Sequence, residues 1–200
     1  MAPRLTNVVR RERTASELNR LTEAMGDWLT RRRKADCDAA GEYIGRRLAR
    51  TAADVQQITT GTVCHLDADM VAAASDRWDL PSIDFLFVEN VGNLVCPASY
   101  DLGEDLRAVL LSVTEGEDKP LKYPTIFNTA DVAVITKIDL ADVVGFRREE
   151  AYANIAAVRP GLEIIETSAR AGHSMQRWLE RLEHLRTRPR GQIAGSIAIN

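Results

Sequence analysis

Residues 61–70 read GTVCHLDADM and set Cys64 directly beside His65. A thiolate and an imidazole suit a borderline-soft ion such as Zn²⁺ or Ni²⁺, but a metal site takes three or four ligands, so the pair needs a donor from elsewhere in the chain. Cys96, in NLVCPAS, is the candidate, because it lies four residues past Gly92 in the stretch FLFVENVG. There Glu89 ends an apolar run and Gly92 follows three residues later. An acid-x-x-Gly spacing suits a nucleotide switch, with the carboxylate on the Mg²⁺ side and the glycine N–H at a γ-phosphate. The plainer alternative makes Cys96 a small buried apolar residue and His65 a surface cap. Composition alone favours that alternative; the switch context moves the reading to a metal site of Cys64, His65 and Cys96. Cys64 at the opening of a helix would also have its thiolate favoured by the helix dipole.

A second constellation follows the apolar run DVAVIT, where Lys137 and Asp139 stand two apart. A lysine stem over a base plane and a carboxylate accepting two N–H groups recognise guanine, and adenine offers the wrong donor pattern. KxD alone is common by chance and reads equally as a solvated loop. About thirty residues on, LEIIETSAR ends another apolar run with Ser168, Ala169 and Arg170, a small-residue turn that lets a backbone N–H approach the base. The order and spacing of these pieces are more specific than any one of them.

These residues need strands that deliver them to one edge. DVQQIT (54–59), IDFLFVEN (83–90), AVLLSV (108–113), DVAVIT (131–136) and LEIIETS (162–168) read as strands, several apolar throughout, as in parallel strands covered on both faces. HLDADMVAAASDRW and FRREEAYANIAAV carry helical spacing between them. SMQRWLERLEHL presents Met175, Trp178, Leu179, Leu182 and Leu185 as one stripe, with Ser174 as its N-cap. Alternation of this kind implies an α/β fold, a mostly parallel sheet with helices on both faces and function at the carboxyl ends of the strands.

The chain of 200 residues carries a formal net charge of −3, with 45% hydrophobic and 28% charged residues. That balance suits a globular protein and leaves no nucleic-acid footprint. No apolar run reaches 18 residues, so no membrane span is expected. Three cysteines, Cys37, Cys64 and Cys96, are odd in number and far apart, which argues against a disulfide framework and for a reducing, cytoplasmic setting.

Together GTVCHLDADMV, ENVGNLVCPASYDLGED, LLSVTEGEDKPLKYP and TKIDLADVV resemble the HypB family, nickel-insertion GTPases of nickel–iron hydrogenase maturation. The resemblance runs from about Thr51 to Leu185. It implies a three-layer P-loop NTPase-like fold, a GTP-dependent homodimer holding Ni²⁺ or Zn²⁺ at the switch, GTP or GDP with Mg²⁺, and as partners a HypA-type nickel chaperone and the hydrogenase large subunit. The family's metal ligands fall on Cys64, His65 and Cys96. Its base motif falls on Thr136, Lys137 and Asp139, with Thr136 where an asparagine usually stands, and Ser168 and Ala169 complete the pocket. Glu89 and Gly92 take the catalytic switch positions.

The first fifty residues depart from this pattern. No GxxxxGKS/T occurs in the sequence. LTNVV reads as the first strand and ASELNRLTEAMGDWL as the helix after it, which leaves RRERTAS in the phosphate-loop slot without a glycine. Arginines there supply charge but not convergent N–H groups. The expected organisation is thus a degenerate N-terminal part over 1–50, a GTPase and metal-binding domain over 51–186 and a loose tail over 187–200. GTP hydrolysis is expected to be impaired. The second reading is a nucleotide-incompetent metal-binding or dimerisation module of the same descent. An unrelated oxidoreductase using Cys64 or Cys96 finds no CxxC to support it.

Overall fold

A computed structural model describes residues 5–10, 54–60, 63–187 and 196–199. In chain order the strands are β1 (Leu5–Arg10), β2 (Asp54–Thr59), β3 (Leu86–Glu89), β4 (Leu106–Ser112), β5 (Val132–Thr136), β6 (Glu163–Glu166) and β7 (Ser196–Ile199). The helices are α1 (Ala68–Ser75), α2 (Lys119–Lys122), α3 (Pro124–Thr129), α4 (Ala141–Val144), α5 (Arg148–Val158) and α6 (Met175–Thr187). The expected helix over 15–29, the RRERTAS slot beyond Arg10, and Cys37 with its polar surroundings lie outside the described residues.

The strands form one sheet in the order β2-β1-β3-β7-β4-β5-β6. From β3 to β6 every pairing is parallel. Side chains of β4 and β5 alternate between two cores, as the period of two in a strand demands. Leu106, Ala108, Val132 and Val134 join Phe87 and Ile165 under α6. Val109, Leu111, Ala133 and Ile135 meet Ile126 and Phe127 of α3 and Ala151 and Ile155 of α5 on the other face. Strands sandwiched in this way need no polar face, which is why their sequences are continuously apolar.

The α6 stripe packs as its spacing predicts: Met175, Trp178, Leu179, Leu182 and Leu185 are all buried in the first core. Removing each such side chain from water is worth roughly 1.5–3 kcal/mol, so this helix is a principal fastener of that face. Ser174 does not have the geometry of its N-cap. Its φ of 54° is left-handed, whereas a capping residue sits in the extended region. Nor does Cys64 open α1: Asp67 is the N-cap, accepting from the Met70 N–H at 2.8 Å, and Cys64 stands three residues outside it. Helix-dipole influence fades within the first turn.

Two strands differ from expectation. β1 is a strand, but it runs antiparallel to both β2 and β3, with Arg10 level with Leu86 at the amino end of β3. The carboxyl end of β1 therefore lies at the amino edge of the parallel strands, opposite to where the expected first strand would end. Within the segment expected to be a loose tail, α6 extends to Thr187 and Ser196–Ile199 form β7, inserted in parallel between β3 and β4. No helix among the described residues is long and apolar enough to cross a membrane.

Candidate functional site

Six strands, all but β1, run the same way and end at one edge, and the crevice outside the carboxyl ends is where such sheets bind ligands. At β5 the chain turns sharply. Lys137 adopts φ 60°, in the left-handed region unusual for a residue with a Cβ, and Ile138–Leu140 form a single 3-10 turn. Leu140 N–H donates to Lys137 O at 2.8 Å. This turn is tied to the end of β6, because Ile138 N–H donates to Thr167 O at 3.1 Å and Thr167 N–H donates to Ile135 O at 2.7 Å. The KID segment and the SAR segment are thereby brought side by side, as the sequence reading requires.

Within that pair of loops Thr136 is buried and its Oγ1 has no hydrogen-bond partner among the described residues. Lys137 is half-buried, and the loss of water pushes its ammonium below the ordinary lysine value while nearby Glu115 pulls it back up. Asp139 is exposed, its carboxylate open to a ligand. Ser168 is almost wholly buried; its N–H donates to His173 O at 3.0 Å and its Oγ accepts from Ala171 N–H at 3.1 Å. Both Ser168 groups are structural, so among the two expected pocket residues Ala169 is the one to offer an amide. Glu115, in the turn after β4, escaped the sequence reading. It ion-pairs with Lys119 at 3.3 Å and acts electrostatically on Lys137.

The second group lies in the loops after β2 and β3. β1 separates these strands, but being antiparallel to both it leaves them parallel to each other, so their carboxyl ends share an edge. Glu89 is buried at the end of β3, and Gly92 is exposed at the tip of the following turn. The cysteines of these loops meet. Cys64 and Cys96 are joined as a disulfide across 32 residues of sequence, with Cα atoms 6.2 Å apart. Cysteine count and spacing argued against a disulfide; the pairing is decided by the convergence of two loops, which spacing does not display.

His65 is not aimed at that pair. Its ring stacks on Tyr100, centroids 3.6 Å apart and planes 9° from parallel. Among the described residues no group of three or more His, Cys, Asp or Glu side chains is poised to hold a metal ion. The three expected ligands are thus neighbours with two different engagements, two sulfurs in a covalent bond and an imidazole on an aromatic ring.

Side-chain amides hold these loops. Asn90 Oδ1 accepts from Val91 N–H at 2.8 Å and from Leu66 N–H at 3.2 Å, tying the cysteine–histidine loop to the end of β3. Asn93 Nδ2 donates to Cys64 O at 2.7 Å, while its Oδ1 accepts from Cys96 N–H at 2.8 Å and Val95 N–H at 3.1 Å. The sequence signal was present in ENVGN, since asparagines in a turn commonly bond nearby backbone. Beyond Tyr100 an open cleft of about 440 Å³ runs to the amino ends of β4 and β5. Buried Arg107 braces it, bonded to Glu104 and to Tyr100 O, the latter at 2.8 Å.

Comparison with known proteins gives these loops a family. The family described as CobW/HypB/UreG, nucleotide-binding domain, matches residues 39–166. Hydrogenase maturation factor HypB of Azotobacter vinelandii is 46% identical over 157 residues, covering 78% of this chain and 52% of the relative. That of Escherichia coli is 49% identical over 137 residues, 68% of this chain and 47% of the relative. The chain thus spans about half the length of these curated relatives. The probable hydrogenase maturation factor HypB of Methanocaldococcus jannaschii is 39% identical over 82% of this chain and 75% of its own. Among solved structures, HypB from Helicobacter pylori in complex with nickel is 34% identical, with a TM-score of 0.69 over 86% of this chain and 82% of that one. HypB from Archaeoglobus fulgidus is 42% identical, with a TM-score of 0.59 over 63% of this chain and 67% of that one. With its open, mostly parallel sheet and these relatives, the chain belongs to the HypB family of P-loop NTPase-like α/β proteins.

Proposed function

We propose that this chain is a hydrogenase maturation factor that binds guanine nucleotide at the β5–β6 loops and handles Ni²⁺ at the Cys64–Cys96 loops. One observation carries the reading: two chemically distinct loop pairs, each with the residue types its ligand needs, converge on the same carboxyl edge. Lys137 lies along the base, Asp139 accepts from its N–H groups, and the Ala169 amide meets its oxygen, with Thr136 filling the position beneath. Nickel is cargo here. In the disulfide form the sulfurs are neutral and donate only weakly to a metal; reduction by two electrons and two protons gives two thiols that bind as thiolates. His65 completes the set by leaving Tyr100, and an open coordination position suits transfer better than a closed structural site. Zn²⁺ fits the same donors. A HypA-type chaperone as nickel donor, the hydrogenase large subunit as acceptor, a homodimer and a cytoplasmic setting complete the proposal.

The phosphate end fits less well than the base end. Glu89 and Gly92 would serve Mg²⁺ and a γ-phosphate, but the sequence contains no GxxxxGKS/T, and β1 ends at the amino edge of the parallel strands. Phosphoryl transfer depends on that cradle and its lysine, and the loss of a single electrostatic donor costs about 10²–10³ in rate. GTP hydrolysis is therefore expected to be slow or absent, and the second reading, a metal-binding module without nucleotide chemistry, is favoured by the same two observations.

Titration of the purified chain with GDP and GTP separates the two readings. The leading one expects guanine binding that Asp139→Asn weakens by roughly 1–3 kcal/mol through mispaired polar groups. Equal binding by wild type and variant removes the base assignment. For the metal, Ni²⁺ titration under reducing conditions should yield one site per chain that Cys96→Ser weakens; equal affinity removes Cys96 from it.

A further inference from the structure

Cys64 and Cys96 belong to loops from different strands, and each loop alone would let its cysteine wander. Asn93 addresses both at once: its Nδ2 donates to Cys64 O at 2.7 Å, and its Oδ1 accepts from Cys96 N–H at 2.8 Å. A planar amide with two rotatable bonds gives these opposed contacts a fixed separation. Asn93 is itself anchored, because its N–H donates to Val91 O at 2.6 Å across the turn that carries Gly92.

We propose that Asn93 is the positioning residue that makes Cys64 and Cys96 a single site, by clamping the backbone of one cysteine to that of the other. Its effect on nickel rests on the functional reading above; its effect on the sulfur pair does not. Because the clamp grows from the residue after Gly92, displacement of the Glu89–Gly92 segment moves both cysteines together rather than one past the other. Holding groups that do not touch a metal commonly change affinity 10–100-fold on substitution.

The test uses the full chain in a Cys37→Ser background, with Asn93→Ala and Asn93→Asp. Asn93→Asp is nearly isosteric and keeps the acceptor for Cys96 N–H, but sets an oxygen against Cys64 O. The first readout is equilibrium with glutathione, in which the two thiols reduce one oxidised glutathione to two reduced molecules and form the Cys64–Cys96 bond. Both variants should shift this equilibrium toward the dithiol by about tenfold or more. The second readout is Ni²⁺ affinity of the reduced chain, expected to fall about 10–100-fold in both. The thermal midpoint of the reduced chain should change little in Asn93→Asp, which separates positioning from general loss of structure. Should Asn93→Ala fail to fold, Asn93→Asp alone decides. A wild-type glutathione equilibrium in the folded variant overturns the clamp, whatever nickel does. A shifted equilibrium in a chain that binds no nickel upholds the clamp and overturns the nickel reading instead.

Discussion

The two loop pairs at the carboxyl edge are built from different bonds. The base loops after β5 and β6 are zipped by backbone, through Ile138 to Thr167, Thr167 to Ile135 and Ser168 to His173. The cysteine loops after β2 and β3 are joined by side chains: the amides of Asn90 and Asn93, the sulfur pair and the His65–Tyr100 stack. Backbone bonds persist through most substitutions, whereas a side-chain bond disappears with its residue. One half of the edge is therefore robust in shape and the other conditional on a few side chains and on redox state.

Several changes break or sharpen that contrast. The largest effect should come from beneath the base loops. Leu182 is fully buried in the core that α6 shares with Val134 and Ile165. Leu182→Ala should cost about 2–5 kcal/mol in urea unfolding; a loss under about 1 kcal/mol would mean that α6 does not hold up β5 and β6. Next is oxidation. Treating the chain with a thiol oxidant should lower Ni²⁺ affinity at least about a hundredfold, about 2.7 kcal/mol, and leave GDP affinity unchanged. Equal nickel binding by both redox forms would sever the sulfurs from the site. Smaller again, Tyr100→Ala should destabilise by about 0.5–1.5 kcal/mol, the usual worth of an aromatic pair. Freed of the stack, His65 should bind Ni²⁺ at least as tightly as in the wild type, and a drop in affinity would show that the stacked position is the useful one. Smallest of all is Ser168→Ala, which removes only the acceptor for Ala171 N–H and should cost about 1 kcal/mol or less with GDP affinity retained. A collapse of GDP binding would show that the base loops depend on side chains after all.

Much of the parallel half was legible. β2 spans the residues read as a strand, β4 and β5 follow their apolar runs closely, and the α6 stripe is buried residue for residue. These elements are legible because burial on both faces leaves an uninterrupted apolar signature. The direction of β1 was not, since alternation reads the same whether a strand runs up or down. β7 was missed because SIAI is four residues long and follows a stretch with Pro189 and Gly191, where composition signals a loop. At the site, the convergence of KID with SAR, and of the two cysteine loops, followed from strand ends. The choice of Tyr100 as the partner of His65 did not. It depends on where the 96–100 turn lies against the 63–66 loop, a tertiary fact with no sequence period.

The position of β7 has a consequence for how the molecule is assembled. β3 and β4 do not pair with each other; β7 bonds to both and is the strand that joins β2-β1-β3 to β4-β5-β6. One half of the sheet bears the cysteine loops and the other the base loops. During synthesis both halves are made before Ser196–Ile199 emerges, so the two can collapse as separate subdomains but cannot become one continuous sheet until those residues arrive. A chain truncated just before Ser196 would hold the two half-sheets unjoined, each presenting an open central edge to the other.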